Sequence, residues 1–133
     1  MPDVYAHREV VVYSHEKRPM EMITVSKLNG MTDEKEPRIQ GLFPEEDHPR
    51  AWLIKKPTIF LSCRVHPGET PASYVLDGIM KFLLADSEQS NMLLTKFVFK
   101  IVPMLNPDGV YRGYFRLDTF GQNLNRFYTE PQL

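Results

Sequence analysis

A histidine and a glutamate, His66 and Glu69, stand three positions apart in the segment His-Pro-Gly-Glu. An apolar run typical of a β-strand precedes them and a helical pattern follows, so both lie where a predicted parallel strand ends, the edge at which open α/β sheets bind ligands. An imidazole and a carboxylate presented from one tight turn can both reach a single zinc ion. Taken alone, the pair fits helix capping better, because a carboxylate is favoured at a helix N-terminus. The metal site therefore depends on further residues.

A second group of candidates consists of arginines and amides late in the chain. These are Arg112, Arg116 and the run Asn123-Leu124-Asn125-Arg126. Arginine offers a planar fork that matches a carboxylate, and a neighbouring asparagine amide can complete the clamp. Arg116 could stabilise a developing oxyanion near a metal-bound carbonyl. Each arginine by itself fits a surface position better, so their assignment depends on order and context.

The elements expected to position these residues are strands and helices in alternation. Strands are predicted over 9–14, 20–28, 58–65 and 97–105. A helix is predicted to begin at Pro71 with Thr70 as its N-cap, and a short second helix to cover 91–96. The apolar face of the first helix is predicted to consist of Ala72, Val75, Leu76, Ile79 and Leu83. A hairpin followed by strand, helix and strand predicts an α/β fold with a mixed parallel and antiparallel sheet and flanking helices.

Three finer expectations concern the segments around these elements. Residues 31–57 are charged and rich in proline, which predicts a long surface loop with Trp52-Leu53-Ile54 as an apolar anchor. The strand over 58–65 is apolar enough to predict an interior position covered on both faces. Asn106-Pro107-Asp108-Gly109 fits a type I turn that shapes the loop and contacts no substrate.

The composition is that of an ordinary globular chain of 133 residues with a formal net charge of -1. No basic field exists to hold a nucleic acid, and no apolar run approaches the roughly 20 residues that span a bilayer. The single cysteine, Cys63, excludes an internal disulfide and fits a packing role in a reducing compartment. The start of the chain lacks the apolar core of a signal peptide. We therefore expect a soluble, intracellular protein without nucleic acid or membrane partners.

Four motifs in order give the chain a specific resemblance. They are 66–70 (HPGET), 103–110 (PMLNPDGV), Arg116 and 123–126 (NLNR). Together they resemble the zinc metallocarboxypeptidases of the funnelin group, and most of all the cytosolic carboxypeptidase subfamily, which trims glutamates from tubulin and other proteins. Segments 36–38, 42–44 and 99–105 are most similar to the member that removes branch-point glutamates. The resemblance covers nearly all of residues 9–131.

The resemblance implies a role for each matching residue. His66 and Glu69 match the first two ligands of one zinc ion, and Arg116 matches the arginine that polarises the scissile carbonyl. Asn125 and Arg126 match the pair that binds the terminal carboxylate of the substrate. The implied reaction is attack of a zinc-activated water on an amide, with a glutamate as general base. The implied setting is the cytoplasm, with glutamate-rich tails such as those of tubulin as partners.

The family pattern continues beyond the motifs found here. In such enzymes the third zinc ligand, a histidine, and the general-base glutamate come after the Asn-Arg pair. His7, His15 and His48 all precede the motifs and are not expected to replace that ligand. Residues 1–133 are therefore interpreted as the N-terminal half of a catalytic domain, with two of its three zinc ligands. Alone it is expected to be inactive, to bind zinc weakly and to aggregate or stay partly unfolded, because strand 97–105 would leave an unpaired edge.

Two alternatives remain open from the sequence. Zinc amidohydrolases of small acylated amino acids also carry a His-x-x-Glu and an Asn-Arg pair, although the extended likeness through 97–126 favours the peptidase. The chain could also be a catalytically dead fragment or an interaction module that keeps the sheet without the chemistry.

Overall fold

The computed structural model describes residues 3–129. The strands are β1 (Val4–Tyr13), β2 (Pro19–Lys27), β3 (Met31–Lys35), β4 (Trp52–Ile54), β5 (Thr58–Ser62) and β6 (Val98–Val102). The helices are α1 (Pro71–Leu84), α2 (Glu88–Lys96), α3 (Pro107–Arg112) and a 3₁₀ helix at Leu124–Arg126. None of the helices in this described part has the length and apolar character needed to cross a membrane.

The main sheet has four strands in the order β1-β2-β6-β5. β1 pairs with β2 and β2 with β6 in antiparallel fashion, whereas β5 and β6 are parallel. The predicted mixed sheet, the first hairpin and the parallel pair are therefore confirmed. The helices α1 and α2 form the connection between β5 and β6.

The positions of the last two strands in the sheet differ from the prediction. β6 lies between β2 and β5, so it is not the exposed edge. Within residues 3–129 the edge strands of this sheet are β1 and β5, and β5 pairs with β6 alone. Ile59 and Leu61 pack against the core, while Phe60 between them is 59% exposed. The prediction that this strand is covered on both faces is therefore wrong for the described residues: its side chains alternate, as on a half-buried strand.

One face of the sheet carries the main core, to which α1 and α2 contribute. On α1 the buried side chains are Leu76 and Leu83, with Ile79 and Met80 partly buried beside them. Val75, predicted to be on this face, is 63% exposed. The face follows the i, i+3, i+4, i+7 pattern from position 76, which turns position 75 away from the sheet.

The segment predicted as one long surface loop contains a second, two-stranded antiparallel sheet formed by β3 and β4. Between these strands the chain is ordered by the guanidinium of Arg38, which donates hydrogen bonds to four backbone carbonyls. The acceptors are those of Phe43, Glu45, Glu46 and His48. Arg38 belongs to one of the segments that carried the family resemblance, and its contacts give it a structural role.

Residues 106–109 begin a helix instead of forming an isolated turn. The Asn106 side chain caps α3 by accepting a hydrogen bond from the Gly109 N–H at 2.9 Å. Asn at the cap and Pro at the first helical position suit a helix start as well as a type I turn, which is why the pattern was ambiguous. Asp108 is buried, which acts to raise its pKa, but hydrogen bonds from Ser14, Arg18 and a backbone N–H outweigh burial and lower it.

The exposed β5 edge leads to a prediction about self-association. We expect a Phe60→Lys variant to associate less than the wild-type chain, because a lysine on an edge strand opposes pairing with another edge. Light scattering over a concentration series measures this. The matched control is Phe82→Lys, since Phe82 is 46% exposed but lies on α1. An equal gain in solubility from both variants would show that hydrophobicity in general, and not the strand edge, drives association.

Candidate metal and substrate site

The carboxyl ends of β5 and β6 lie at the same edge of the sheet, because the two strands are parallel. The segments that follow them are bonded to each other. The Leu105 N–H donates to the Cys63 carbonyl at 2.9 Å, and the Asn106 N–H donates to the Arg64 carbonyl at 3.1 Å. This edge therefore carries one connected structure in which the turn after β5 rests on the turn after β6.

The turn that holds His66 is braced from two sides. Arg64 adopts a left-handed backbone conformation, with φ of 57°, and its guanidinium donates to the Pro67 carbonyl and to the Ser73 hydroxyl on α1. On the other side α3 packs so closely that a Cβ at Gly109 would overlap the Pro67 ring. Position 109 therefore has space only for a glycine, and the motifs 66–70 and 103–110 pack against each other here.

His66 and Glu69 face each other across the turn. The His66 Nδ1 lies 2.9 Å from the Glu69 Oε1. The histidine side chain is 7% exposed and the glutamate side chain 53% exposed, so one side of the pair is open to solvent. Thr70, at the N-cap position of α1, forms no side-chain capping bond. The sequence-predicted pair is thus brought together by the turn.

The other nitrogen of His66 contacts a residue that the sequence analysis assigned no role. The Asn123 Oδ1 lies 2.9 Å from the His66 Nε2 and also accepts the Asn125 N–H at 3.1 Å. Because the backbone N–H of Asn125 fixes the amide with its oxygen towards the ring, Nε2 acts as the donor. Nδ1 then presents its lone pair to the Glu69 carboxylate, so the two atoms are electron-pair donors that one metal ion could join.

The donor atoms fit the first part of a zinc site. Zinc binds imidazole nitrogen and carboxylate oxygen at about 2.0–2.2 Å, so two donors 2.9 Å apart can share one ion with small adjustments. Among residues 3–129 no group of at least three His, Cys, Asp or Glu side chains is arranged to hold a metal. His7 and His48 stack on each other with ring centroids 5.4 Å apart, and His15 packs on Phe120. The described residues thus bring together two candidate ligands.

Arg116 reaches the same carboxylate from a different segment. Its Nη1 lies 3.9 Å from the Glu69 Oε1, and its side chain is 44% exposed. The surrounding residues 114–119 line an open groove together with Gly121. Arg116 therefore lies beside the candidate metal-binding pair with part of its guanidinium accessible.

Asn125 and Arg126 lie on the 3₁₀ helix, and both are exposed. The preceding turn is folded by Asp118, whose Oδ1 accepts the N–H groups of Phe120 and Gln122 at 2.9 Å and 2.7 Å. Asn123 then connects this turn to His66, as described above. The candidate carboxylate clamp is thus tied to the candidate metal ligand through one amide oxygen.

Comparison with known proteins bears on the family of this chain. The family model described as zinc carboxypeptidase matches residues 4–129. The chain belongs to the zinc carboxypeptidase family. Its relatives include cytosolic carboxypeptidase-like protein 5 of Ailuropoda melanoleuca, 45% identical over 130 residues, which cover 96% of this chain and 15% of the relative. The chain therefore spans a small part of the curated relatives it matches.

Solved structures of carboxypeptidases share the fold. The metallo-carboxypeptidase from Burkholderia cenocepacia aligns with a TM-score of 0.70 and 28% identity, over 96% of this chain and 29% of that one. The metallo-carboxypeptidase from Pseudomonas aeruginosa, in complex with (2-guanidinoethylmercapto)succinic acid, aligns with a TM-score of 0.69 and 25% identity, over 96% and 28%. The predicted carboxypeptidase-type α/β fold is confirmed, and the family implies zinc as the metal.

Two residues near the carboxypeptidase motifs have other partners. Arg112 forms a two-pronged ion pair with Glu16 through its Nε and Nη2. Burial raises the pKa of the Cys63 thiol, and its sulfur lies 3.5 Å from the Ala72 carbonyl. A neutral, half-buried thiol at this position fits packing, as the sequence analysis expected.

Proposed function

We propose that this chain is the N-terminal half of the catalytic domain of a zinc-dependent carboxypeptidase that removes glutamates from protein tails, such as those of tubulin, in the cytoplasm. The observation that carries the proposal is the placement of His66 between Asn123 and Glu69. One ring nitrogen is held as a donor, and the other, 2.9 Å from a carboxylate oxygen, is available to a cation. Half-buried turns with this donor set suit zinc.

His66 and Glu69 would hold the ion, which in such sites activates water and polarises the substrate carbonyl. Arg116 provides a fixed positive charge on the open side of the pair, 3.9 Å from the Glu69 Oε1. A guanidinium there stabilises the negative charge that develops on the carbonyl oxygen during amide cleavage. Its partial exposure leaves its remaining N–H donors free to meet the substrate.

Asn125 and Arg126 would bind the terminal carboxylate of the substrate. Both side chains face solvent, and a guanidinium beside an amide can hold a carboxylate through several charge-assisted hydrogen bonds. A clamp for a free carboxylate restricts cleavage to the chain end. The complex of the Pseudomonas aeruginosa relative with a substituted succinic acid supports a carboxylate ligand for this fold.

The choice of glutamate-rich tails is supported by the resemblance to cytosolic carboxypeptidases and by relatives of that name. The match to zinc carboxypeptidases over residues 4–129 favours the peptidase over an amidohydrolase of acylated amino acids. Because the described residues provide two ligands and a catalytic zinc needs three, we expect the isolated chain to be inactive.

A segment exchange tests the activity. This chain replaces the matched 130-residue segment of cytosolic carboxypeptidase-like protein 5 from Ailuropoda melanoleuca, and glutamate release is measured from linear and branched glutamate peptides and from N-acetylglutamate. We expect release from the peptides, and an Arg116→Ala version to lose about 10²–10³-fold in kcat. An Arg8→Ala version is the control, since the Arg8 side chain is 72% exposed and pairs with Glu21 at the surface of the first hairpin. Cleavage of N-acetylglutamate alone would contradict the peptidase.

A further inference from the structure

We propose that Gly68 is the positioning residue that sets the distance between Arg116 and the metal-binding carboxylate of Glu69. The Gly68 N–H donates to the Phe115 carbonyl at 2.8 Å, which joins the turn after β5 to the segment that carries the arginine. Gly68 immediately precedes Glu69, and Phe115 immediately precedes Arg116. This one backbone hydrogen bond therefore fixes the positions of Glu69 and Arg116, whose side chains would act together. This role of Gly68 rests on the proposed function.

The packing at this contact leaves no room for a side chain at position 68. A Cβ there would lie 2.7 Å from the Phe115 oxygen, 2.9 Å from its Cδ2 and 3.1 Å from its Cα. Real Cβ atoms essentially never show contacts under 3.0 Å. Two of the three atoms belong to the backbone, so rotation of the Phe115 ring, which is 79% exposed, would not relieve the overlap. Gly68 is not among the residues with positive φ, so it is needed for space and not for an unusual conformation.

A displacement of Phe115 would pass directly to Arg116. The Arg116 Nη1 lies 3.9 Å from the Glu69 Oε1, close to the limit of an ion pair, so a small shift uncouples the two groups. The carboxylate clamp does not depend on this contact, because Asn125 and Arg126 are held through Asn123 and the Asp118 turn. Gly68 therefore acts on the arginine and leaves the clamp in place.

Two glycines that lie on helices provide controls for the role of Gly68. Gly78 lies on α1, and nothing is within 4 Å of a Cβ at that position, so Gly78→Ala adds the same methyl group without a clash. A Cβ at Gly109 would overlap Pro67 and the capping Asn106 side chain, so Gly109→Ala strains the opposite side of the same turn. A general loosening of the turn would give similar results for Gly68→Ala and Gly109→Ala, whereas a positioning role is specific to Gly68.

The test uses NMR on the full 133-residue chain and does not depend on catalysis. In the wild type we expect slow amide exchange at Gly68 and a scalar coupling across its hydrogen bond to Phe115. Zinc, by recruiting Glu69, is expected to shift the Arg116 Nε–Hε resonance. In Gly68→Ala the exchange at position 68 should be at least tenfold faster and the zinc-induced shift of Arg116 at least halved, while zinc still binds. Gly78→Ala should match the wild type, and Phe115→Ala should not restore the Gly68→Ala chain.

The outcomes separate this role from the proposed function. Three results would each overturn the positioning role of Gly68. They are fast amide exchange at Gly68 in the wild type, an unchanged zinc-induced shift of Arg116 in Gly68→Ala, and an equal loss of that shift in Gly109→Ala. In the exchanged carboxypeptidase, Gly68→Ala should lower kcat at least tenfold with KM changed less than threefold, because the clamp is intact. If that enzyme releases no glutamate, the proposed function fails, and the NMR result still decides the position of Arg116.

Discussion

An Arg50→Ala variant is expected to lose about 3–5 kcal/mol of unfolding free energy, the cost of removing one partner from a buried ion pair. Arg50 is 5% exposed and donates from Nε to the Glu9 Oε2 at 2.8 Å and from Nη2 to the Glu36 Oε2 at 3.0 Å. Glu9 is itself 4% exposed, and its Oε1 has no hydrogen-bond partner. Without Arg50 this carboxylate would be buried with no compensating charge. Because domains of this size are stable by about 5–15 kcal/mol, the loss is a large share of the total.

Urea unfolding followed by circular dichroism measures this loss. The matched control is Arg8→Ala, since Arg8 also pairs with a glutamate, Glu21, but its side chain is 72% exposed. An exposed pair is worth about 0–1 kcal/mol, so the control should unfold close to the wild type. A second variant, Glu9→Gln, keeps Arg50 but removes the charge opposite it and should also be destabilised. If Arg50→Ala and Arg8→Ala unfold alike, the buried cluster does not hold the fold together.

The buried cluster of Arg50, Glu9 and Glu36 could not be predicted from the sequence. Residues 36–50 are charged and rich in proline, which is typical of a solvated loop, yet Arg50 packs its guanidinium 3.3 Å from the Phe43 ring centroid. Lys100 on β6 extends the cluster through a 2.7 Å contact with Glu36. These partners are far apart in sequence, and no local pattern distinguishes a buried arginine from an exposed one. The four strands of the main sheet and the helices α1 and α2 were predictable because their periodicity is local, whereas β3, β4 and α3 were not.

The order of strands in the sheet was not predictable for a related reason. Strands 58–65 and 97–105 are both short apolar runs, and composition alone does not show which of them has neighbours on both sides. In the structure Phe99 and Ile101 on β6 are buried, whereas Phe60 on β5 is exposed. The difference comes from the antiparallel pairing of β6 with β2, between Ile23 and Ile101 and between Val25 and Phe99, which are far apart in sequence.

The candidate site also contains residues that the sequence predicted and residues that it did not. His66, Glu69 and Arg116 were identified from motifs, and the structure brings them together at one sheet edge. Their roles as ligands and as charge stabiliser stay predictions. The contact of Asn123 with His66 is not predictable from the motif 123–126, because it is a hydrogen bond between residues that are distant in sequence. The need for a glycine at position 68 also arises from packing against Phe115, a residue distant in sequence.

An Asn123→Ala variant is expected to bind zinc about 10–100-fold more weakly than the wild-type chain, the usual cost of losing a residue that orients a metal-binding histidine. The Asn123 oxygen holds the proton on the His66 Nε2 and so keeps Nδ1 directed at Glu69. In its absence the ring is free to adopt the other tautomer or to rotate. Competition with a zinc-binding dye measures the dissociation constant, and His66→Ala should abolish binding altogether.

Two further variants decide whether the effect comes from the hydrogen bond to His66. Asn91→Ala removes an asparagine on α2 whose side chain donates to the Asp86 Oδ1, and it should leave zinc affinity unchanged. Asn123→Asp keeps an acceptor for the His66 Nε2, so it should retain most of the affinity that Asn123→Ala loses. If Asn123→Ala binds zinc as tightly as the wild type while His66→Ala does not, the turn alone orients the histidine. In that case the bracing by Arg64 and Gly109 is sufficient, and the link from Asn123 serves only to place Asn125 and Arg126 next to the metal ligands.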